Sequence, residues 1–221
     1  YDGLGRRTAE TDQAGLTTRF DYDALGRLAK VTDALGGETS YGYDEAGNRI
    51  TQTDAEGRAT RFCYDALGRE VARTLPDGST DAKTYDVAGN QLTRTDFAGR
   101  TTTYAYDEGN RLLSRSYPDG STVGFTYTPT GRRATATDAR GTTIYAYSAR
   151  DRLASLTYPD GRALEYGYDA GGNRTSLAAV LGSTRLTTTF AHDDAGRLDT
   201  VTDPRGQVYR HGYDANGNRA A

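Results

Sequence analysis

The chain has 221 residues, of which only 35% are apolar even with tyrosine counted, and it carries neither Trp nor Met; its mean hydropathy is −0.75. Its aromatics are 17 tyrosines and 5 phenylalanines beside 27 glycines, a composition that makes sheet readily but cannot fill a thick two-layer interior. Thirty acids against 27 bases leave a net charge of −3, no electrostatic case for nucleic acid or an anionic membrane, and no run approaches the roughly 18 apolar residues of a membrane helix.

Taken from the amino terminus, Tyr-Asp recurs at Tyr1, Tyr22-Asp23, Tyr43-Asp44, Tyr64-Asp65, Tyr85-Asp86 and Tyr106, each 21 residues after the last. The column continues through Tyr127, Tyr147, Tyr168, His192 and Tyr213, with steps of 21, 20, 21, 24 and 21. A fixed period of this kind sets the whole architecture. It predicts one array of about ten repeats over residues 1–221. The chain opens inside the motif on Tyr1-Asp2, so it reads as a fragment cut from a longer protein.

Each repeat contains two turn signals. The first places a glycine four residues after the leading residue: Gly5, Gly26, Gly47, Gly68, Gly89, Gly131, Gly172, Gly196 and Gly217. In one repeat this glycine comes a residue early, at Gly109, and in another Asp151 replaces it. The second turn places a glycine fourteen residues after the leader, at Gly15, Gly36, Gly57, Gly78, Gly99, Gly120, Gly141, Gly161, Gly182 and Gly206. Aspartate at the head of such a turn caps local amides, and glycine at its end supplies positive φ. Asp151 is tolerable there because Asp is among the few other residues that visit that region.

Between the turns lie segments of about six residues, the usual length of a strand. Phe20 and Tyr22, Tyr41 and Tyr43, Tyr104 and Tyr106, and Tyr145 and Tyr147 sit two apart and share a face. Thr18, Thr39, Thr60, Thr102 and Thr143 precede them on that face, and small or polar residues stand between the rings. Period-2 patterning and dense glycine exclude helix. Each repeat is therefore a β-hairpin, and the fold class is all-β: one long antiparallel meander. About twenty strands at ~4.8 Å spacing would span ~100 Å, and open sheets rarely exceed ~10 strands without curling, so a curling or spiral sheet is expected.

The run Tyr22-Asp23-Ala24-Leu25-Gly26-Arg27-Leu28, followed by Thr32-Asp33-Ala34-Leu35-Gly36, resembles the YD/RHS repeat family, and the resemblance covers essentially the whole chain. That family includes bacterial RHS polymorphic toxins, wall-associated proteins and toxin-complex cocoon subunits, with teneurins more distant. The resemblance implies a secreted, cell-surface or delivered bacterial protein whose repeats wind into a spiral β-shell around a toxin or other carboxy-terminal cargo. Its partners would be the rest of its own shell and that cargo. Many bacterial shells end in a self-cleaving aspartate segment built on Asp-Pro-x-Gly-Leu. Asp203-Pro204-Arg205-Gly206 comes nearest, but Gln207 follows and the stretch falls in register as an ordinary second turn.

No catalytic constellation, cofactor site or metal set is visible. The aspartates lead turns separated by whole strands, unlike the converging oxygens of a calcium site. His192 and His211 stand in the aromatic columns, and Cys63, the only cysteine, stands in the small-residue column with no candidate base beside it. Arg27, Arg69, Arg111 and Arg152 recur five residues after the leader and are expected to stack on the ring of their own repeat. Two other functions remain open. One is a carbohydrate- or cell-wall-binding array, because tyrosine faces stack on sugars. The other is a β-propeller-like interaction module, because Pro76-Asp77-Gly78, Pro118-Asp119-Gly120 and Pro159-Asp160-Gly161 recur at about 42 residues, a blade length.

Two further expectations follow from the register. The three extra residues between Tyr168 and His192 should be absorbed after Gly182, within 183–189, as longer strands or a bulge. Both ends stop inside a repeat, so the terminal hairpins should expose strand edges and favour self-association.

Overall fold

The computed structural model describes residues 1–220. Its regular structure is twenty-two short β-strands, with no helix among the described residues. The chain divides into two compact units: Tyr1–Asn110 with Tyr117–Asp119, and Arg111–Ser116 with Gly120 onward. In the first unit, strands from Ala9–Thr11 to Thr101–Tyr106 pair antiparallel with their chain neighbours, in strict order. In the second, the same order runs from Leu112–Ser116 to Val208–Arg210. A last hairpin joins Gly212–Tyr213 to Arg219–Ala220. The all-β, antiparallel hairpin reading holds. No break falls after every fourth strand, so the 42-residue recurrence does not mark propeller blades. It marks turns such as that of Leu75, where Pro76-Asp77-Gly78 follows a position that is aspartate in most repeats.

Both turns of a repeat share one construction. Gly26 N–H donates to the Asp23 carbonyl (3.0 Å), and Asp23 N–H donates to the Arg27 carbonyl (2.8 Å). Asp33, Gly36 and Gly37 repeat the pattern at the second turn. This is a three-residue hairpin loop with its last residue in the left-handed region. Gly26 and Gly36 have φ of 82° and 86°. The aspartate locks the loop: Asp23 Oδ1 accepts from the N–H of Leu25 (2.9 Å) and of Arg27 (2.8 Å).

Two details differ from the sequence reading. In the repeat led by Tyr106 the left-handed residue is Asn110 (φ 60°), which donates to the Asp107 carbonyl (2.9 Å), and not the early Gly109. Asparagine reaches that region at little cost, so the loop keeps its length. At Gly182 the extra residues lengthen both strands: Arg174–Leu181 has eight residues and Thr184–His192 has nine. They pair without interruption from Ser176–Thr189 to Leu181–Thr184, leaving a two-residue turn. Ala179 has neither the capping aspartate of most repeats nor the Pro-Asp-Gly that follows Leu75, Tyr117 and Tyr158, so nothing there stops the strand early.

A bulge accompanies the first turn in eight repeats. Asp21 faces Lys30 and Tyr22 faces Leu28, so Ala29 is left out of the ladder. The register builds cross-strand rows on one face, Phe20–Val31–Thr39 and Tyr41–Gln52–Thr60 among them. The opposite face carries threonine pairs whose hydroxyls meet, as in Thr74–Thr80 (3.1 Å) and Thr95–Thr101 (2.8 Å).

There is almost no core. Among the described residues only Phe62 and Ala178 are buried apolar side chains. The chain exposes 14388 Å², against about 9,900 Å² expected of a globular protein of its mass. The rings are half-buried, because each sheet face meets only what its own side chains lay across it.

Two outcomes are expected. Far-UV circular dichroism should show strand and turn only; a quarter or more of helix would contradict the fold. At Gly57 (φ 77°) an added Cβ meets nothing within 4 Å, so Gly57→Val isolates backbone strain and should cost about 1–2 kcal/mol in urea unfolding. Gly57→Asn should cost less, and equal losses for the two would contradict the left-handed assignment.

Candidate functional site

The leading tyrosine, the aspartate after it and the arginine four residues beyond that form the recurring unit of side-chain chemistry. Arg27 Nε donates to Asp23 Oδ2 (2.7 Å), closing an ion pair across the turn. Asp23 thereby fixes the near edge of the guanidinium, and the far edge reaches the next repeat. Arg27 NH1 donates to the Asp44 carbonyl (3.0 Å), and the guanidinium carbon lies 4.6 Å from the Tyr43 ring centre. Arg69 repeats this with Asp65, the Asp86 carbonyl and Tyr85. The stacking partner is thus the ring of the following repeat, not the arginine's own ring. The strand after the turn lies beside the next repeat's second strand, and the aspartate aims the guanidinium that way.

The tyrosine completes the connection from its other end. Tyr43 Oη donates to the Leu28 carbonyl (2.8 Å) in the preceding repeat. The same bond, 2.7 to 3.2 Å long, runs from Tyr22, Tyr64, Tyr85, Tyr106, Tyr127, Tyr147 and Tyr213. Tyr22, Tyr43, Tyr85, Tyr127 and Tyr213 are therefore held edge-on by a carbonyl and face-on by an arginine of the preceding repeat.

Some repeats carry asparagine in the arginine column. Asn48 Nδ2 then donates to Asp44 Oδ2 (2.9 Å), and the next residue, Arg49, stacks on Phe62 at 4.7 Å. Asn173 and Arg174 do the same toward Asp169 and Phe190. Sequence reasoning had not paired the asparagines with the arginines after them, although Asn-Arg stands in both places.

It also missed a polar interruption in the first unit. Lys83, one of two lysines, occupies an aromatic column, and Asp81 stands two residues before it. Asp81 is 2% exposed and accepts from Arg94 NH2 (3.0 Å), while Lys83 pairs with Glu70 (2.8 Å). Arg73, across the ladder from Asp81, lies 4.9 Å from the Phe97 ring. The rarity of lysine in this chain was the available signal.

Of the predicted repeat residues, Tyr22, Tyr43, Tyr64, Tyr85, Tyr106, Tyr127, Tyr147, Tyr168 and Tyr213 end second strands. Asp23, Asp44, Asp65 and Asp86 head first turns. Gly26, Gly36, Gly47, Gly57, Gly68, Gly78, Gly89, Gly99, Gly120, Gly141, Gly161, Gly182 and Gly206 all have positive φ. Cys63 is exposed, and His211 Nδ1 accepts from Arg219 NH2 (2.6 Å). Among the described residues no cluster of three His, Cys, Asp or Glu side chains is placed to hold a metal ion, and no helix is long and apolar enough to cross a membrane.

The turn aspartates hold their protons weakly. Asp23 lies below the usual carboxylate value chiefly because the Arg27 backbone N–H donates to it, with the guanidinium adding to this and partial loss of water opposing it. Asp44 is lowered chiefly by the Asn48 side-chain amide, and Asp193 by the backbone N–H of Arg197. A carboxyl whose folded pKa is depressed stabilises the fold above its unfolded pKa and loses that contribution as pH falls through the folded value. The urea midpoint should therefore hold steady down to about pH 5 and drop below about pH 4. A midpoint that rises on acidification would contradict these contacts. In a double-mutant cycle, Arg27→Ala and Tyr43→Leu, which removes the ring face, should couple by about 0.5–1 kcal/mol, and strict additivity would remove the contact between repeats.

A family profile described as Teneurin YD-shell matches residues 1–159, and one described as RHS Repeat matches residues 147–184 and 192–221. None of the curated proteins matches the chain. Among solved structures, TcdB2-TccC3 is similar over 99% of this chain and 16% of its own, with 17% identity and a TM-score of 0.67. The Tc holotoxin pore of Photorhabdus luminescens is similar over 92% of this chain and 15% of its own, with 18% identity and a TM-score of 0.61. The chain thus spans about a sixth of the length of the structures it resembles, and the likeness is one of fold.

Proposed function

Because the chain belongs to the teneurin YD-shell and RHS-repeat family, we propose that it is a non-catalytic length of shell wall that helps to enclose and protect a cargo domain. The parent would be a secreted or delivered bacterial protein, of which this array is one part. The observation that carries the reading is the use made of the tyrosines. In five repeats, those of Tyr22, Tyr43, Tyr85, Tyr127 and Tyr213, the hydroxyl is bound to a carbonyl and the ring face to an arginine. Groups committed in this way build a wall and are not on offer to a substrate.

The same observation weighs against a carbohydrate platform, which needs free ring faces for sugars. Turnover is likewise unsupported by the turn aspartates, since Asp23, Asp65 and Asp193 are each tied to an arginine and to backbone amides. Two measurements test the proposal. Hydrolase and nuclease assays on the purified chain should be blank, and turnover lost on Asp81→Asn or Arg94→Gln would contradict it. Mild proteolysis of the natural full-length product should leave a protected segment outside the repeats; digestion of that segment at the rate of the free segment would contradict enclosure.

A further inference from the structure

We propose that the turn Ser148–Arg152 is a carboxylate-binding site, in which Arg152 and Arg150 take from a ligand the group that other repeats supply from their own aspartate. Two repeats lack that aspartate, having Thr128 and Ser148 in its place. The first is compensated within the fold. Asp151 Oδ2 accepts from Arg132 Nε (3.2 Å), and its Oδ1 accepts from the Thr130 hydroxyl (2.8 Å). This explains why Asp151 occupies a glycine position at φ 62°. The second repeat has no such substitute.

Ser148 Oγ replaces only the backbone part of the cap, accepting from the N–H of Arg150 and of Arg152 at 3.3 Å each. It is too short to reach Arg152 Nε. Asp151 faces Arg132, and Asp169 is occupied: its Oδ1 accepts from Asn173 N–H (2.8 Å) and its Oδ2 from Asn173 Nδ2 (3.0 Å). Among the described residues, no carboxylate pairs with Arg152.

The arginine has moved accordingly. Arg152 lies 5.7 Å from the Tyr168 ring centre, whereas Arg6, Arg27, Arg69, Arg111 and Arg197 lie 4.6 to 4.9 Å from theirs. Its NH2 stands 2.4 Å from where a Cβ on Gly172 would be, against 3.1 Å for Arg6 at Gly26 and 3.7 Å for Arg69 at Gly89. One contact still holds it, from NH1 to the Asp169 carbonyl (3.2 Å). Beside it opens a groove of about 410 Å³ lined by Ser148, Arg150, Arg152, Tyr166, Tyr168 and Asp169, the last with its carboxylate held by Asn173. Arg150 spends NH1 on the Ala170 carbonyl (2.7 Å) and keeps its other donors. Two guanidinium groups line this groove, and the carboxylate that pairs with the equivalent of Arg152 in the sister repeats is missing, an arrangement that selects a planar two-oxygen anion.

The carboxylate has two conceivable sources, a free small acid or an acidic side chain of a partner polypeptide. The test is heteronuclear NMR of the arginine Nε–H signals in the whole chain, with Arg152 assigned by its disappearance in Arg152→Lys. Acetate should move the Arg152 signal saturably while leaving Arg27 and Arg69 in place, and chloride at equal ionic strength should not move it. In Ser148→Asp, which restores the aspartate of the other repeats, the acetate response should vanish and the melting temperature should not fall. No saturable shift, an equal shift with chloride, or an undiminished shift in Ser148→Asp would each overturn the site. A tetraglutamate peptide run in parallel separates the sources: saturation at lower carboxylate concentration than acetate assigns a protein ligand, and saturation at the same concentration assigns a free acid.

Discussion

A sheet without a covering layer has to find its stability along its own surface, and here it does so through the contact from Arg27 to Tyr43 and its copies. Burial cannot carry the fold, since Phe62 and Ala178 are the only buried apolar side chains among the described residues. The backbone ladder alone would leave every strand weakly specified in register. The aspartate–arginine–tyrosine connection addresses both problems. It lays a flat cation over the rings of Tyr22, Tyr43, Tyr85, Tyr127 and Tyr213, which shields them from water, and it spans two repeats, which fixes where one hairpin meets the next. Each such contact is modest, about 0.5–1 kcal/mol for an exposed cation–π pair. Their effect comes from repetition, as expected of arrays whose stability is a sum over repeats and nearest-neighbour interfaces.

Seen this way, the departures from the motif follow a rule. A repeat can change a member of the contact when a neighbour supplies the lost group. Asn48 caps Asp44 and passes the stacking role to Arg49, which takes Phe62 in place of Tyr64. Thr128 gives up its carboxylate and Asp151 returns one from the next repeat. Pro76-Asp77-Gly78 closes its turn without a leading aspartate, with Asp77 Oδ1 accepting from the Ser79 N–H (2.9 Å). Ser148 is the exception, and a functional reading belongs with the exception, because the array otherwise satisfies itself.

Much of this was legible from residues alone. The period, the turn glycines and the paired aromatics define hairpins, and Asp151 was recognisable as a left-handed residue. What could not be read was direction across the sheet. Spacing places Arg27 within reach of Tyr22 and of Tyr43 alike, and only the Asp23 ion pair and the bulge at Ala29 decide for Tyr43. Longer strands near Gly182 were expected from the spacing, but not that the strand before the glycine would share the extra length. The glycine kept its column, but the absence of both an aspartate at Ala179 and a Pro-Asp-Gly after it, which lets the strand run on, carried the information. The Asp81–Lys83 interruption was overlooked because a regular column invites its exceptions to be read as noise.

The central claim is that the arginine holds the following repeat and not merely its own turn. Native-state hydrogen exchange on the wild-type chain and on Arg69→Met tests this directly. The account predicts that the variant loses amide protection in the Thr80–Tyr85 strand, whose Tyr85 ring Arg69 covers, as well as in the turn 65–69. Loss confined to the turn, with Thr80–Tyr85 as protected as in the wild type, would contradict it.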